Sequence, residues 1–174
     1  MAVNLNQNHF ELFGLPRRFV VDAAALEARY RELQREVHPD RFAAAPEIER
    51  RASMQLATRV NEAYQTLKSP LRRAVYILRL RGVDPEFETN TAMQPEFLME
   101  QMSWRERIEA RSEPEALLQL RAGLRDESGK IYEKLHGQLD EGRDDEAACE
   151  TTRMLMFYEK LGEEIDDKLA ELET

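Results

Sequence analysis

Cysteine is nearly missing from this chain. Cys149 is the one thiol among 174 residues, which excludes an internal disulfide and fits a reducing, cytoplasmic setting. Histidine is almost as scarce, with only His9, His38 and His136, and these are scattered. With a single cysteine beside them, neither a metal site nor a cofactor is expected. No run of about 18 apolar residues is present, so no membrane span is expected. The opening Met1 to Asn6 has neither the basic region nor the apolar core of an export signal. No glycine-rich phosphate loop and no strand signal stand out. Gly and Pro number only seven each, whereas 42% of residues are hydrophobic and 34% charged, the composition of a helix-rich folded protein.

Each half is also short of one sign of charge. Residues 1–81 hold 14 Lys+Arg against 9 Asp+Glu, a net of +5; residues 82–174 hold 11 against 25, a net of −14. Two modules with different partners are implied. Nucleic acid is a poor partner for the whole chain, because the acidic half would oppose phosphate binding.

What remains is helical periodicity. A short apolar turn, His9 to Phe13, closes at Gly14-Leu15-Pro16. Asp22 then caps a stretch from Ala23 to Val37 with Leu26, Tyr30, Leu33 and Val37 on one face. Arg31 and Arg35 lie on the opposite side. After Pro46, which suits a first helical position, Ile48, Ala52, Leu56, Val60, Ala63 and Leu67 form a second stripe. Ser69-Pro70 opens a third helix that Gly82 ends. Residues 83–95 contain two prolines and no periodicity and read as a linker between a module at 1–82 and one at 96–174. The latter predicts an antiparallel three-helix bundle over 96–110, 115–139 and 145–172.

Between the first two long helices stands His38-Pro39-Asp40-Arg41-Phe42. Pro39 disfavours helical backbone at His38 and has no N–H to donate, so the helix stops and both polar side chains sit in a short loop. A dyad without a nucleophile or a third orienting group does not support acid–base catalysis. Recognition is the better role, with Arg31, Arg35 and Arg41 steering toward an acidic partner.

A second candidate site lies on the helix beginning at Glu96. At about 100° per residue from Phe97, the positions Gln101, Trp104 and Ile108 share its face, while Leu98, Met99 and Met102 fall elsewhere, beside Glu106 and Glu109. Either this helix is buried on two sides, with methionines filling an irregular core, or it presents an apolar patch with an acidic rim to a partner. Phe157, about 80° from its own helix's stripe, either extends that patch or joins the core.

The first module resembles a J domain. The resemblance rests on the basic stripe, His38-Pro39-Asp40, Arg41-Phe42 and Asn61-Glu62-Ala63-Tyr64. His9-Phe10-Glu11-Leu12-Phe13-Gly14-Leu15-Pro16, Ser69-Pro70-Leu71-Arg72-Arg73-Ala74 and Phe97-Leu98-Met99-Glu100-Gln101-Met102 extend it to the HscB family of co-chaperones in iron–sulfur cluster assembly. The resemblance implies an all-α protein: a J domain, formed by an antiparallel helical hairpin with a short first helix, followed by a helical bundle. It also implies that the tripeptide stimulates ATP hydrolysis by the DnaK-type chaperone HscA, and that the bundle binds the scaffold IscU through Leu98, Met99, Met102, their acidic rim and Phe157. No catalytic activity of its own is implied. Val37 replaces the usual aromatic, Arg41 the usual lysine and Ser103 a frequent acid of that family. Other readings are a J protein carrying a different client to a general DnaK-type chaperone, a hydrolase using His38 and Asp40, and a purely structural bundle.

Overall fold

The computed structural model describes residues 6–42, 44–85 and 95–172, and every regular element among them is helical. The elements are α1 (His9–Phe13), α2 (Ala23–Val37), a 3-10 turn (Pro39–Phe42), α3 (Glu47–Lys68), α4 (Pro70–Leu80), α5 (Pro95–Glu109), α6 (Pro114–His136), a π-helical turn (Gly137–Gly142) and α7 (Asp145–Leu172). The chain divides into two compact units, residues 1–81 and 82–174. Residues 86–94 of the expected linker lie outside the described residues.

In the first unit, local chemistry sets the helix ends. Asn8 and Glu11 cap α1 reciprocally, each side chain accepting from the other's backbone N–H, and Gly14 closes it at φ 63°, a left-handed conformation that favours glycine. Asp22 accepts from the N–H groups of Ala24 and Ala25 at the start of α2. Ser69 accepts from Arg72 at the start of α4, with Pro70 as its first residue. Pro46, expected inside α3, instead occupies its N-cap position and contributes no side-chain hydrogen bond.

α3 is the hub: α1, α2, α4 and the 3-10 turn all pack on it. Phe10, Phe13, Leu33, Leu67, Ile77 and Leu78 are fully buried, and each such side chain contributes roughly 1.5–3 kcal/mol. α2 and α3 run antiparallel, linked from one end to the other. The Ser53 hydroxyl donates to the Val37 carbonyl at 2.9 Å, Tyr30 donates to Asn61 at 2.9 Å and stacks on Tyr64, and Tyr64 donates to Glu27 at 2.5 Å.

The expected α3 stripe is buried only from Val60 onward. Ile48 is 82% exposed, Ala52 is exposed and Leu56 is half-buried. The reason is length. Ser53 already meets the last residue of α2, so the turns of α3 before it run past the end of their partner and have little to pack against.

In the second unit α6 runs antiparallel to α7 around Leu117, Leu120, Leu124, Ile131 and Leu135 on one side and Leu155, Leu161 and Ile165 on the other. Arg121 reaches from α6 to hold Asp166 of α7 through two hydrogen bonds, and its guanidinium passes where a Cβ on Gly162 would stand. α5 rests on α7 and runs in the same direction, with Phe97 against Phe157 near one end and Ile108 beside Lys168 at the other. This gives the up-down-up bundle expected from the sequence. Leu172, expected on the α7 stripe, is 43% exposed, being at the last turn, where the bundle ends.

Candidate functional site

The tripeptide sits where the backbone rules place it. His38 leaves the helix with φ −60° and ψ 128°, the extended conformation required before a proline. Both polar side chains face solvent, with exposures of 57% for His38 and 92% for Asp40. The Asp40 backbone N–H donates to His38 Nδ1 at 3.2 Å, and Asp40 Oδ2 lies 3.6 Å from that nitrogen. A neutral ring that accepts at Nδ1 carries its proton on Nε2, so a hydrogen-bond donor is offered outward beside a carboxylate.

His38 is also one wall of a shallow groove of about 770 Å³ lined by Arg31, Gln34, Arg35 and Arg41. Three guanidinium groups and an imidazole thus gather on one side of α2 and the loop. They are not equally available. Arg31 pairs with Glu27 at 3.1 Å, and that carboxylate is held below the usual range first by the Tyr64 phenol and then by Arg31. Arg41 folds back, its Nη1 donating to the carbonyls of Arg35 at 3.1 Å and Glu36 at 3.5 Å. It therefore caps the negative end of α2 as well as lining the groove, a structural duty the sequence reading missed.

Behind the hairpin, His9 is buried, its ring stacked on Tyr76 at 4.2 Å and its backbone N–H donating to the Tyr76 hydroxyl at 3.0 Å. Its Nδ1 has no hydrogen-bond partner. Burial, and then the nearby Arg59 charge, push its pKa down to about 4.

The α5 surface separates into two sides. Phe97, Trp104 and Ile108 are buried, while Leu98, Met99 and Met102 are 48%, 64% and 63% exposed, with Glu106 and Glu109 exposed beside them. The alternative in which the helix is buried on two sides is overturned. Phe157 resolves differently. It is buried, packed edge-to-face against Phe97 at 5.6 Å, and so joins the core instead of extending the patch's exposed area. The rim is not purely acidic, because the Arg105 guanidinium stands 5.8 Å from the Phe157 ring centre.

Among the described residues, no group of three or more His, Cys, Asp or Glu is placed to hold a metal ion, and no helix is long and apolar enough to cross a membrane.

Comparison with known proteins gives a consistent picture. Residues 8–76 match the DnaJ domain family, and residues 93–166 match the family described as the HSCB C-terminal oligomerisation domain. The chain is 55% identical to the co-chaperone protein HscB homolog of Azoarcus sp. (strain BH72), with all of both chains covered. Its fold is similar to chaperone HscB from Vibrio cholerae, with TM-score 0.83 and 40% identity over 95% of this chain and 99% of that one. It is also similar to human co-chaperone protein HscB, with TM-score 0.87 and 30% identity over 95% and 83%.

Proposed function

Since the chain belongs to the HscB family of J-domain co-chaperones, we propose that it works in iron–sulfur cluster assembly by joining a DnaK-type chaperone to a cluster scaffold. The J domain, residues 1–82, stimulates ATP hydrolysis by HscA. The bundle, residues 96–174, binds IscU and delivers it, with residues 83–95 between the two. The chain turns over no substrate itself; the chemistry belongs to the partner ATPase, in the cytoplasm.

At the J domain, the groove of Arg31, Arg35 and Arg41 suits an acidic chaperone surface. His38 and Asp40 then present a donor and a carboxylate on a backbone stiffened by Pro39, so less backbone freedom is lost on docking.

At the bundle, the observation that carries the reading is the exposure of Leu98, Met99 and Met102 on a helix whose other side is packed. Burying each in an interface contributes roughly 1.5–3 kcal/mol before association costs. Three such side chains support affinity of micromolar order, suited to a carrier that must release what it brings.

The test is a calorimetric titration of the cognate IscU-type scaffold into wild type and into the Leu98→Ser, Met99→Ser, Met102→Ser triple variant. Binding by wild type and its loss in a variant of unchanged helicity is the expected result. Wild type that fails to bind the scaffold would overturn the client assignment, leaving a J protein that carries another client to a general DnaK-type chaperone.

A further inference from the structure

α5 is a thin attachment. Only Phe97, Trp104 and Ile108 of its apolar side chains are buried, and a narrow apolar seam resists rotation and sliding poorly because apolar contact is not directional. Yet the patch needs a fixed azimuth, since about 100° separates neighbouring positions and a modest roll would turn Leu98 or Met99 out of the surface. Directional bonds supply what the seam lacks. The Tyr158 hydroxyl, on a side chain only 3% exposed, donates to the Glu100 carboxylate, and the same ring meets Trp104 edge-on at 6.1 Å. At the far end Lys168 Nζ donates to the carbonyls of Ile108 at 2.7 Å and Glu109 at 3.2 Å, among the last carbonyls of α5; the Ile108 carbonyl also accepts from the Arg111 N–H at 3.3 Å.

We propose that Glu100, Tyr158 and Lys168 are positioning residues that fix the rotation and axial register of α5, and so set how Leu98, Met99 and Met102 meet the client. This rests on the client-binding reading of the patch. Glu100 falls about 160° around the helix from both Leu98 and Met102 and about 100° from Met99, so it lies to one side of the patch and not within it. Burial, and then the Glu100 carboxylate, push the Tyr158 phenol up, which keeps it a proton donor throughout the neutral range. Lys168 complements it by holding the helix end, so that one bond fixes the roll and the other the slide.

The test uses the full chain with the IscU-type scaffold as titrant, and hydrogen exchange of the α5 amides as a second readout. Glu100→Ala, Tyr158→Phe and Lys168→Met are expected to weaken binding by about 3–10-fold, the range of one lost hydrogen bond. Glu100→Gln retains an acceptor for the phenol, and Lys168→Arg retains a donor for the carbonyls, so both bind within about twofold of wild type. The Glu100→Ala, Tyr158→Phe double variant is no weaker than the weaker single one, because both break one bond. Exchange in α5 quickens in the three disruptive variants while α6 is unchanged. A Glu100→Gln variant as weak as Glu100→Ala overturns the proposal, since it makes the negative charge itself the contact. Unchanged α5 exchange in the three disruptive variants overturns it too. If wild type does not bind the scaffold, the client reading has failed, and the exchange data alone decide whether these residues pin the helix.

Discussion

Arg121 holds Asp166 from the neighbouring helix with hydrogen bonds of 2.9 and 3.0 Å, and it does so by lying across Gly162. A Cβ at position 162 would stand 2.9 Å from Arg121 Nη1, so the absence of a side chain there is what lets the two charges meet. Gly162→Ala therefore sets a gain in helix propensity of about 1 kcal/mol against a displaced ion pair worth about 0.2–1 kcal/mol. Net stability should move by less than about 1 kcal/mol. The coupling between Arg121 and Asp166, read from a double-mutant cycle, should vanish in the Gly162→Ala background.

Gly123 and Gly129 are the opposite case. Both lie within α6, and a Cβ at either meets nothing within 4 Å. Alanine at each should stabilise the second unit by about 0.5–1 kcal/mol, raising its thermal midpoint by several degrees. A lowered midpoint would count against the helix geometry described.

His9 should make the first unit sensitive to acid. Its folded pKa is pushed down to about 4 by burial and by Arg59, whereas the unfolded chain protonates near 6.5. From about pH 6.5 down to 4 the unfolded state therefore binds a proton that the folded state refuses, and stability falls. The loss by pH 5 should be on the order of 1 kcal/mol, and His9→Phe should flatten the dependence when urea midpoints are compared at pH 7 and pH 5.

Arg41 has two duties, and substitution can separate them. Arg41→Ala removes a cation from the last carbonyls of α2 and should lower the stability of the first unit by about 0.5–1 kcal/mol, visible as a lower urea midpoint. His38 is the C-cap residue of α2, but its imidazole bonds only the Asp40 N–H, a contact the Gln side-chain oxygen can replace. His38→Gln should leave the urea midpoint unchanged while abolishing stimulation of the chaperone ATPase. Full stimulation by folded His38→Gln protein would refute the recognition role.

Local patterns showed most of the helices, because periodicity and caps are written in neighbouring residues: Asp22, Ser69-Pro70 and Gly82 all stand where their chemistry predicts. The exposed side of α5 was legible for the same reason, since Leu98, Met99 and Met102 exceed what one stripe accommodates. Phe157 was not, because its place depends on Phe97, far away in sequence. Nor were the bonds that hold α5, whose partners stand 58 to 60 residues apart. The exposure of Ile48 was missed for another reason. A stripe tells which side of a helix is apolar, but not how far along it the partner reaches.

That overhang separates two kinds of selection. The buried end of the first unit, where α1 and α4 meet α3, admits few side chains. In the turns of α3 before Ser53, Ile48 and Ala52 are exposed, and His38 and Asp40 lie outside the core. Substitutions there leave the folding equilibrium nearly untouched. A lineage can therefore vary the side chains at this end of the first unit through neutral steps, without first acquiring spare stability elsewhere.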